Sequence, residues 1–469
     1  MKVNTFEENT NGIILQTTKG KIKVQVCTDN IIRVVYTLNN EFSEKESLMI
    51  VKKTIDNVDW KVDETDTFIK VSTAKMQIRI NKESCAFSYF DVEGNLLTKE
   101  PDSGGKELAP TKVEKTIFNK DTEIKNENSV DGVKVRVENT ETVIDREAYH
   151  CKLKFEWDEN EALYGLGSYE EGIMNYRNHH QYLYQENMRA VVPVLVSTKG
   201  YGILLDSYSY ISFHDDVYGS YLWSEINDEL DYYFIYGPEF DEIVSGYRYL
   251  TGDVPMFPKW AFGYIQSKER YKTQDELVSI VEEYRKREIP LDTIVLDWRS
   301  WEGDLWGQKS FDISRFPDPE KMMDDIHDLN AHLMISIWPN MQNDGSNRLE
   351  MKECGYLLGN QSTYDAFNKK ARELYWKQAN EGLFSKGIDA WWCDCTEPFE
   401  KDWMGGVKPE PEQRVLMNTD EAKKYLDPQY INAYSLKHSQ GIYEGQRATT
   451  EDKRVVNLTR SSYAGQQRY

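Results

Sequence analysis

The segment IDAWWCDCTEPFE, residues 388–400, sets an acid, Asp394, directly after an apolar run of Ile, Ala and two Trp, with a second acid, Glu397, three residues later. Such a run reads as a buried strand that delivers a carboxylate to one end of a sheet. The pattern recurs on both sides. WAFGYIQ (260–266), DTIVLDW (292–298), AHLMISIWP (331–339), IDAWWCDC (388–395) and RVVNLTRSS (454–462) all read as strands. Helical stretches separate them, including TQDELVSIVEEYRKREI (273–289), with Thr273 as N-cap, and DPEKMMDDIHDLN (318–330). Alternating strands and helices predict a parallel sheet with crossover helices. No Gly-x-Gly-x-x-Gly follows the first strand, so a (β/α)8 TIM-type barrel is expected rather than a dinucleotide fold. Only about five strand-helix units precede Tyr469, so the barrel is expected to be incomplete at the C-terminus.

The first half of the chain has a different rhythm. GIILQTTKGKIKVQVCTDNIIRVVYTL and TFIKVSTAKMQIRINKESCAFSYFD alternate apolar and polar residues between Gly, Asn and Asp turns, which predicts a β-sandwich. The polar segment 102–132 reads as a surface excursion, and YGLGS (164–168), lacking the Lys and Ser/Thr of a P-loop, reads as a tight turn. A helical FDEIVSGYRYLTG and the prolines of VPMFPKWAFGYIQ place the boundary between a sandwich domain, 1–252, and a barrel domain, 253–469.

Composition narrows the partners. With 79 acidic against 57 basic residues the net charge is −22, which disfavours nucleic acid and anionic membrane surfaces. No apolar run approaches the ~20 residues of a membrane span, and MKVNTFEENTNG lacks a signal-peptide core, so a cytoplasmic location is expected. Six scattered cysteines suit free thiols in a reducing compartment. Cys393 and Cys395, placed by strand alternation on the face opposite Asp394, have no second Cys pair or His cluster nearby in the sequence. Neither a metal nor an organic cofactor is expected. A homo-oligomer is left open. The aromatic content, 13% with 12 Trp and 30 Tyr, suits either stacking on sugar rings or a large aromatic core.

Barrel enzymes carry their chemistry at the C-terminal ends of the strands. Those ends supply Asp297 and Trp298, then Trp338, then Asp394, then Arg460. A partly desolvated carboxylate kept ionised by its partners can attack an electrophilic carbon, as in retaining glycoside cleavage, where two carboxyl groups stand about 5–5.5 Å apart. Asp394 fits the nucleophile. Glu397, beyond the strand, reads as its orienting acid or as a substrate ligand; Trp298, Trp338 and Trp392 read as a sugar-stacking wall. Asp297 would accept bonds from hydroxyls, and Arg460 would clamp a hydroxyl and hold Asp394 charged. Taken singly, each also reads as a strand cap, a core residue or a structural ion pair.

The chain resembles glycoside hydrolase family 31, the retaining α-glycosidases. The similarity lies in LYGLGSYEEG (163–172), GYGILLDS (200–207), PKWAFGYIQSKERYKTQDEL (258–277), IVLDWRSW (294–301), FPDPEKMMDDIHDLNAHLMISIWPNM (316–341), GIDAWWCDCTEP (387–398) and TRSSYAGQQRY (459–469). The resemblance implies a β-sandwich before the barrel, Asp394 as nucleophile and Glu397 as its supporting acid. It also implies that Asp297, Trp338 and Arg460 line the subsite of the non-reducing sugar. YIQSKERY and ISIWPNM are most similar to the α-xylosidase branch, which adds Gln266 near the sugar. The implied activity is exo-acting release of a terminal sugar, most closely xylose, from an oligosaccharide or α-glycoside through a glycosyl-Asp394 intermediate. Related branches accept glucose, galactose or N-acetylgalactosamine. The family's general acid/base is absent from these residues and expected beyond Tyr469, so a non-catalytic sugar-binding or inactive fragment stands as the reading from another class.

Overall fold

Period-two burial in the first half of the chain builds two large antiparallel sheets. The computed structural model describes all residues except 53–57, 120, 130, 131 and 402–408. One sheet has eight strands: Val3–Asn9, Gly12–Thr17, Gly20–Thr28 and Ile31–Thr37 run in sequence, followed by Leu230–Tyr236, Tyr201–Leu205, Ala190–Ser197 and Leu163–Ser168. The other has five, in the order Lys106–Ile117, Glu141–Phe155, Gly219–Asn227, Ile211–Asp216 and His180–Leu183. A separate five-stranded meander spans residues 61–99. All three contribute to one core, through residues such as Ile22, Val24, Ile78, Phe87, Leu153, Phe213 and Phe234. Much of the tyrosine content is spent here on packing: Tyr89 stacks on Phe234 with centroids 4.0 Å apart, and its hydroxyl meets that of Tyr232 at 2.7 Å. A buried phenol costs little when its hydroxyl is paired.

Two expectations fail in this half. YGLGS forms a strand rather than a tight turn, paired antiparallel with Ala190–Ser197 and with a register shift between Gly165 and Gly167. The glycines are needed because Gly167 has φ +121 and a Cβ there would lie 2.0 Å from the Ala190 carbonyl oxygen. Segment 102–132 is not simply an excursion. Lys106–Ile117 is an edge strand of the five-stranded sheet, and Glu123–Ser129 pairs with Gly132–Glu138 in a hairpin; residues 120, 130 and 131 lie outside the described residues.

Helix Phe240–Thr251 packs Ile243 and Leu250 into the sandwich core, and the parallel sheet follows. Its five strands, Ile265–Gln266, Thr293–Leu296, His332–Ile337, Ala390–Cys393 and Asn457–Thr459, lie side by side in chain order. The first is far shorter than WAFGYIQ suggests, because Lys259–Phe262 turns as a 3-10 helix. Helix Gln274–Lys286 begins at Thr273, whose hydroxyl accepts from the Glu276 amide at 3.2 Å, and helix Pro319–Asp328 begins at Asp318. Among the described residues no helix is long and apolar enough to cross a membrane.

The two tryptophans of the opening segment part company across the sheet. Trp391 is fully buried in the helix layer against Trp376, and its indole N–H donates to Gln446 at 2.8 Å. Trp392 points the other way, packing with Val295, Met334, Ala390 and Val456 on the lumen face.

Candidate active site

The fourth barrel strand ends at Cys393, and the chain beyond it is held by its own backbone: the Asp394 amide donates to Ile337 O at 3.0 Å and to Trp392 O at 3.1 Å. Asp394 is 9% exposed, and Oδ1 accepts from the Cys395 amide at 2.8 Å. Arg460, just after the fifth strand, approaches Asp394 Oδ1 with Nη1 at 3.3 Å. The same guanidinium donates to both oxygens of the fully buried Glu397, Nε to Oε1 at 2.8 Å and Nη2 to Oε2 at 3.0 Å. Asp394, Glu397 and Arg460 therefore form one charged unit with a net charge of −1. Burial pushes the Asp394 carboxyl up to about 6; Arg460 opposes the shift, while the charges of Glu397 and Asp297 add to it.

A cleft opens beside this unit, bordered by Trp306, Trp338, Asn340, Cys395, Glu397, Glu400 and Arg460. Asp394 is not among the lining residues and meets the cleft through Arg460. Trp338 is fixed from two directions, its indole N–H donating to Ser336 Oγ at 3.1 Å and its carbonyl accepting from Tyr375 at 2.8 Å. Trp306 meets it edge-on at 5.0 Å and also contacts Trp298 and Trp301, at 5.1 and 5.6 Å. Trp306 and Trp338, backed by Trp298 and the buried Trp301, thus make a rigid aromatic corner beside a carboxylate-guanidinium pair, a combination suited to a ring with an apolar face and several hydroxyls.

Of the residues singled out from sequence, Trp338, Glu397 and Arg460 line the cleft and Asp394 joins them through Arg460. Asp297 accepts from the Trp298 amide at 2.7 Å and acts on Asp394 through its charge. Trp298 stands behind Trp306, with the Arg270 guanidinium 5.3 Å from its ring, and does not line the cleft.

Trp392 shares the lumen face with Asp394 by alternation, half-buried against Val295, Met334, Ala390 and Val456, and does not border the cleft. Two expectations need correction. Gln266 faces away from the lumen. Its Oε1 accepts from Tyr264 and Tyr284, at 2.7 and 2.6 Å, and its Nε2 donates to Tyr271 at 3.1 Å, so its amide is occupied. Cys395 is not on the face opposite Asp394: the strand has already ended, the backbone turns to φ 51, and the sulfur accepts from Arg460 Nη2 at 3.0 Å inside the cleft. None of the six cysteines is in a disulfide.

Sequence reasoning missed Trp306, Glu400 and Arg136. Trp306 had a signal in the three Trp of DWRSWEGDLW, and Glu400 closes the opening segment itself. Glu400 is anchored by accepting from the Asn187 amide, which comes from the sandwich. Arg136 and Val135, on the hairpin over residues 123–138, reach the cleft from the sandwich side with no local signal.

Comparison with known proteins agrees with this geometry. The model described as "Glycosyl hydrolases family 31 TIM-barrel domain" matches residues 254–469, and the family's "N-terminal galactose mutarotase-like domain" matches 21–214. The chain belongs to glycoside hydrolase family 31. Within family 31 it is 35% identical over 458 residues to an α-xylosidase of Saccharolobus solfataricus, covering 96% of this chain and 56% of that protein. Alpha-glucosidase 2 of Bacillus thermoamyloliquefaciens is 23% identical, covering 100% of this chain and 57% of its own length. The family 31 α-xylosidase structure from Xanthomonas citri superposes with a TM-score of 0.82 at 26% identity, covering 98% of this chain and 64% of that one. The chain thus spans a little over half the length of these curated relatives.

Proposed function

We propose that this protein is a family 31 α-glycosidase that releases a terminal xylose from an oligosaccharide through a covalent glycosyl-Asp394 intermediate. The observation that carries the reading is the guanidinium of Arg460 shared between Asp394 and Glu397. In this arrangement Arg460 compensates the charge of Asp394, while the amide of Cys395 fixes one carboxylate oxygen and leaves the other for the anomeric carbon. Above pH about 6 the carboxylate is mainly ionised and able to attack. Trp306 and Trp338 supply the face against which the sugar ring packs, and Glu397 keeps Arg460 from collapsing fully onto the nucleophile. The assignment to xylose rests on the relative at 35% identity, which is named an α-xylosidase. A sandwich domain over 1–252, a barrel domain over 253–469 and a cytoplasmic location belong to the same proposal.

The test is intact-protein and peptide mass spectrometry after incubation with 5-fluoro-α-xylosyl and 5-fluoro-α-glucosyl fluorides. Fluoride leaves without a proton, so the experiment reads the nucleophile alone. A sugar adduct on the peptide containing Asp394, absent in Asp394→Asn, is the expected result, with the xylosyl reagent reacting faster. Faster glucosyl labelling moves the assignment to an α-glucosidase. No adduct on a folded chain that binds xylose makes it a sugar-binding protein instead.

A further inference from the structure

Away from the cleft, two groups among the described residues bring two histidines and an aspartate within ligating distance of one another. In the first, His327, His332 and Asp389 meet at the N-terminal end of the barrel strands. Both Asp389 oxygens are committed there: Oδ1 to the Lys453 ammonium at 2.7 Å, Oδ2 to His327 Nε2 at 2.8 Å and to the Leu333 amide at 2.9 Å. A resident ammonium makes this a structural ion-pair cluster, unfavourable to a second cation.

In the second group the acid keeps one oxygen uncommitted, and the neighbouring ammonium, Lys152, lies 4.5 Å over the Tyr221 ring. His180 and His214 are direct cross-strand partners on antiparallel strands His180–Leu183 and Ile211–Asp216, with ring centroids 5.1 Å apart. Asp216 lies two residues beyond His214 and so shares its face of the sheet. One ring nitrogen from each histidine and one Asp216 oxygen all lie within 4.8 Å of one another. Asp216 uses Oδ1 to accept from the Tyr218 amide at 2.7 Å; among the described residues its other oxygen and the His180 ring have no hydrogen-bond partner. His214 is held by stacking on Tyr221 at 4.8 Å and by contact of Nε2 with Ser212 Oγ at 3.1 Å, the sort of outer contact that fixes a ligating ring.

We propose that His180, His214 and Asp216 form a divalent transition-metal site of the zinc class on the outer face of the sandwich. Two imidazoles and one carboxylate suit Zn2+ in tetrahedral geometry, with water as the fourth ligand. The site bears on the architecture as well. Strand His180–Leu183 is the edge of its sheet, paired only with Ile211–Asp216, and it runs directly into the segment whose Asn187 amide anchors Glu400. An ion shared across the cross-strand pair ties this edge down.

The experiment titrates Zn2+ into the tag-free full chain by calorimetry, alongside Co2+ followed by its visible d–d absorption. One high-affinity site is expected, with the absorption of tetrahedral Co2+ and a melting temperature that rises with Zn2+ concentration. His180 is exposed, so His180→Ala leaves packing intact and should weaken binding more than about tenfold, as should Asp216→Asn. His327→Ala and Cys354→Ser, which remove the other histidine cluster and the exposed thiol, should bind as the unmodified chain does. Absence of binding overturns the proposal, as does binding that survives both His180→Ala and Asp216→Asn, or that is lost in His327→Ala or Cys354→Ser.

Discussion

Arg460 grips Glu397 with two hydrogen bonds, at 2.8 and 3.0 Å, and holds the more exposed Asp394 with one longer contact at 3.3 Å. Glu397, not Asp394, is the stronger partner of the guanidinium. Glu397→Gln therefore removes the better half of a buried pair, a change that costs ~3–5 kcal/mol when fully buried and nearer 2 with Arg460 a fifth exposed. Because the charge of Glu397 helps raise the Asp394 carboxyl, the same variant should shift the acid limb of labelling to lower pH. An unmoved limb would show that Glu397 supports the fold and not the nucleophile.

The pH profile of labelling should reveal Asp394 directly. With its carboxyl pushed up to about 6, the rate of reaction with a 5-fluoro glycosyl fluoride should fall tenfold per pH unit below that value. A limb near pH 4, the range of an ordinary carboxylate, would contradict the buried environment described above.

The same shift has a stability sign. A folded-state value above the unfolded one means that the native chain binds the proton more tightly, so stability falls as pH rises from about 4 to 6 and the cost persists above. Asp394→Asn removes that cost. Its melting temperature should exceed that of the unmodified chain at pH 7, by the equivalent of ~1–3 kcal/mol, and converge with it near pH 4. A lower melting temperature at pH 7 would mean that Arg460 depends on Asp394 more than burial penalises it.

Two adjacent tryptophans should respond unequally. Trp391→Ala empties a fully buried site and strands Gln446, for a loss of ~3–5 kcal/mol in denaturant melts. Trp392→Ala, at a half-buried lumen position, should lose less and leave labelling of Asp394 in place.

At the opposite end of the barrel, the Asp389 cluster predicts a stability window. The hydrogen bond from His327, the His332 ring 3.7 Å away and the Lys453 charge outweigh burial and hold the Asp389 carboxyl well below its usual range, so its contribution is present above pH about 4 and lost as pH falls. The hydrogen bond to Asp389 raises His327, so that contribution is complete below pH about 6.5 and lost as pH rises through the higher folded value. Asp389→Asn should flatten melting temperature against pH at both limits.

The barrel strands and the charged unit were legible because alternation and strand-end position are local properties: Asp394 and Arg460 each stand one residue past a strand. The errors share a cause. Cys395 was misplaced by extending alternation beyond the point where the strand stops, and Gln266 by assigning it to the lumen from a strand that is only two residues long. Arg136 and the Asn187 contact were illegible, since both cross from the sandwich over more than 200 residues of chain.

The chain that carries Asp394, Glu397 and Arg460 is thus tied to the sandwich, which contributes none of the three. Gln185 accepts from Ser461 Oγ at 2.9 Å, the Asn187 amide holds Glu400, and Arg468 donates to Met49 O at 2.8 Å. The barrel ends of these bonds, Glu400, Ser461 and Arg468, all follow Asp394 in sequence, and Ser461 adjoins Arg460. A chimera that grafts this barrel onto a foreign sandwich would inherit the strands and lose the alignment between them, so the unit of exchange for an engineer is the pair of domains.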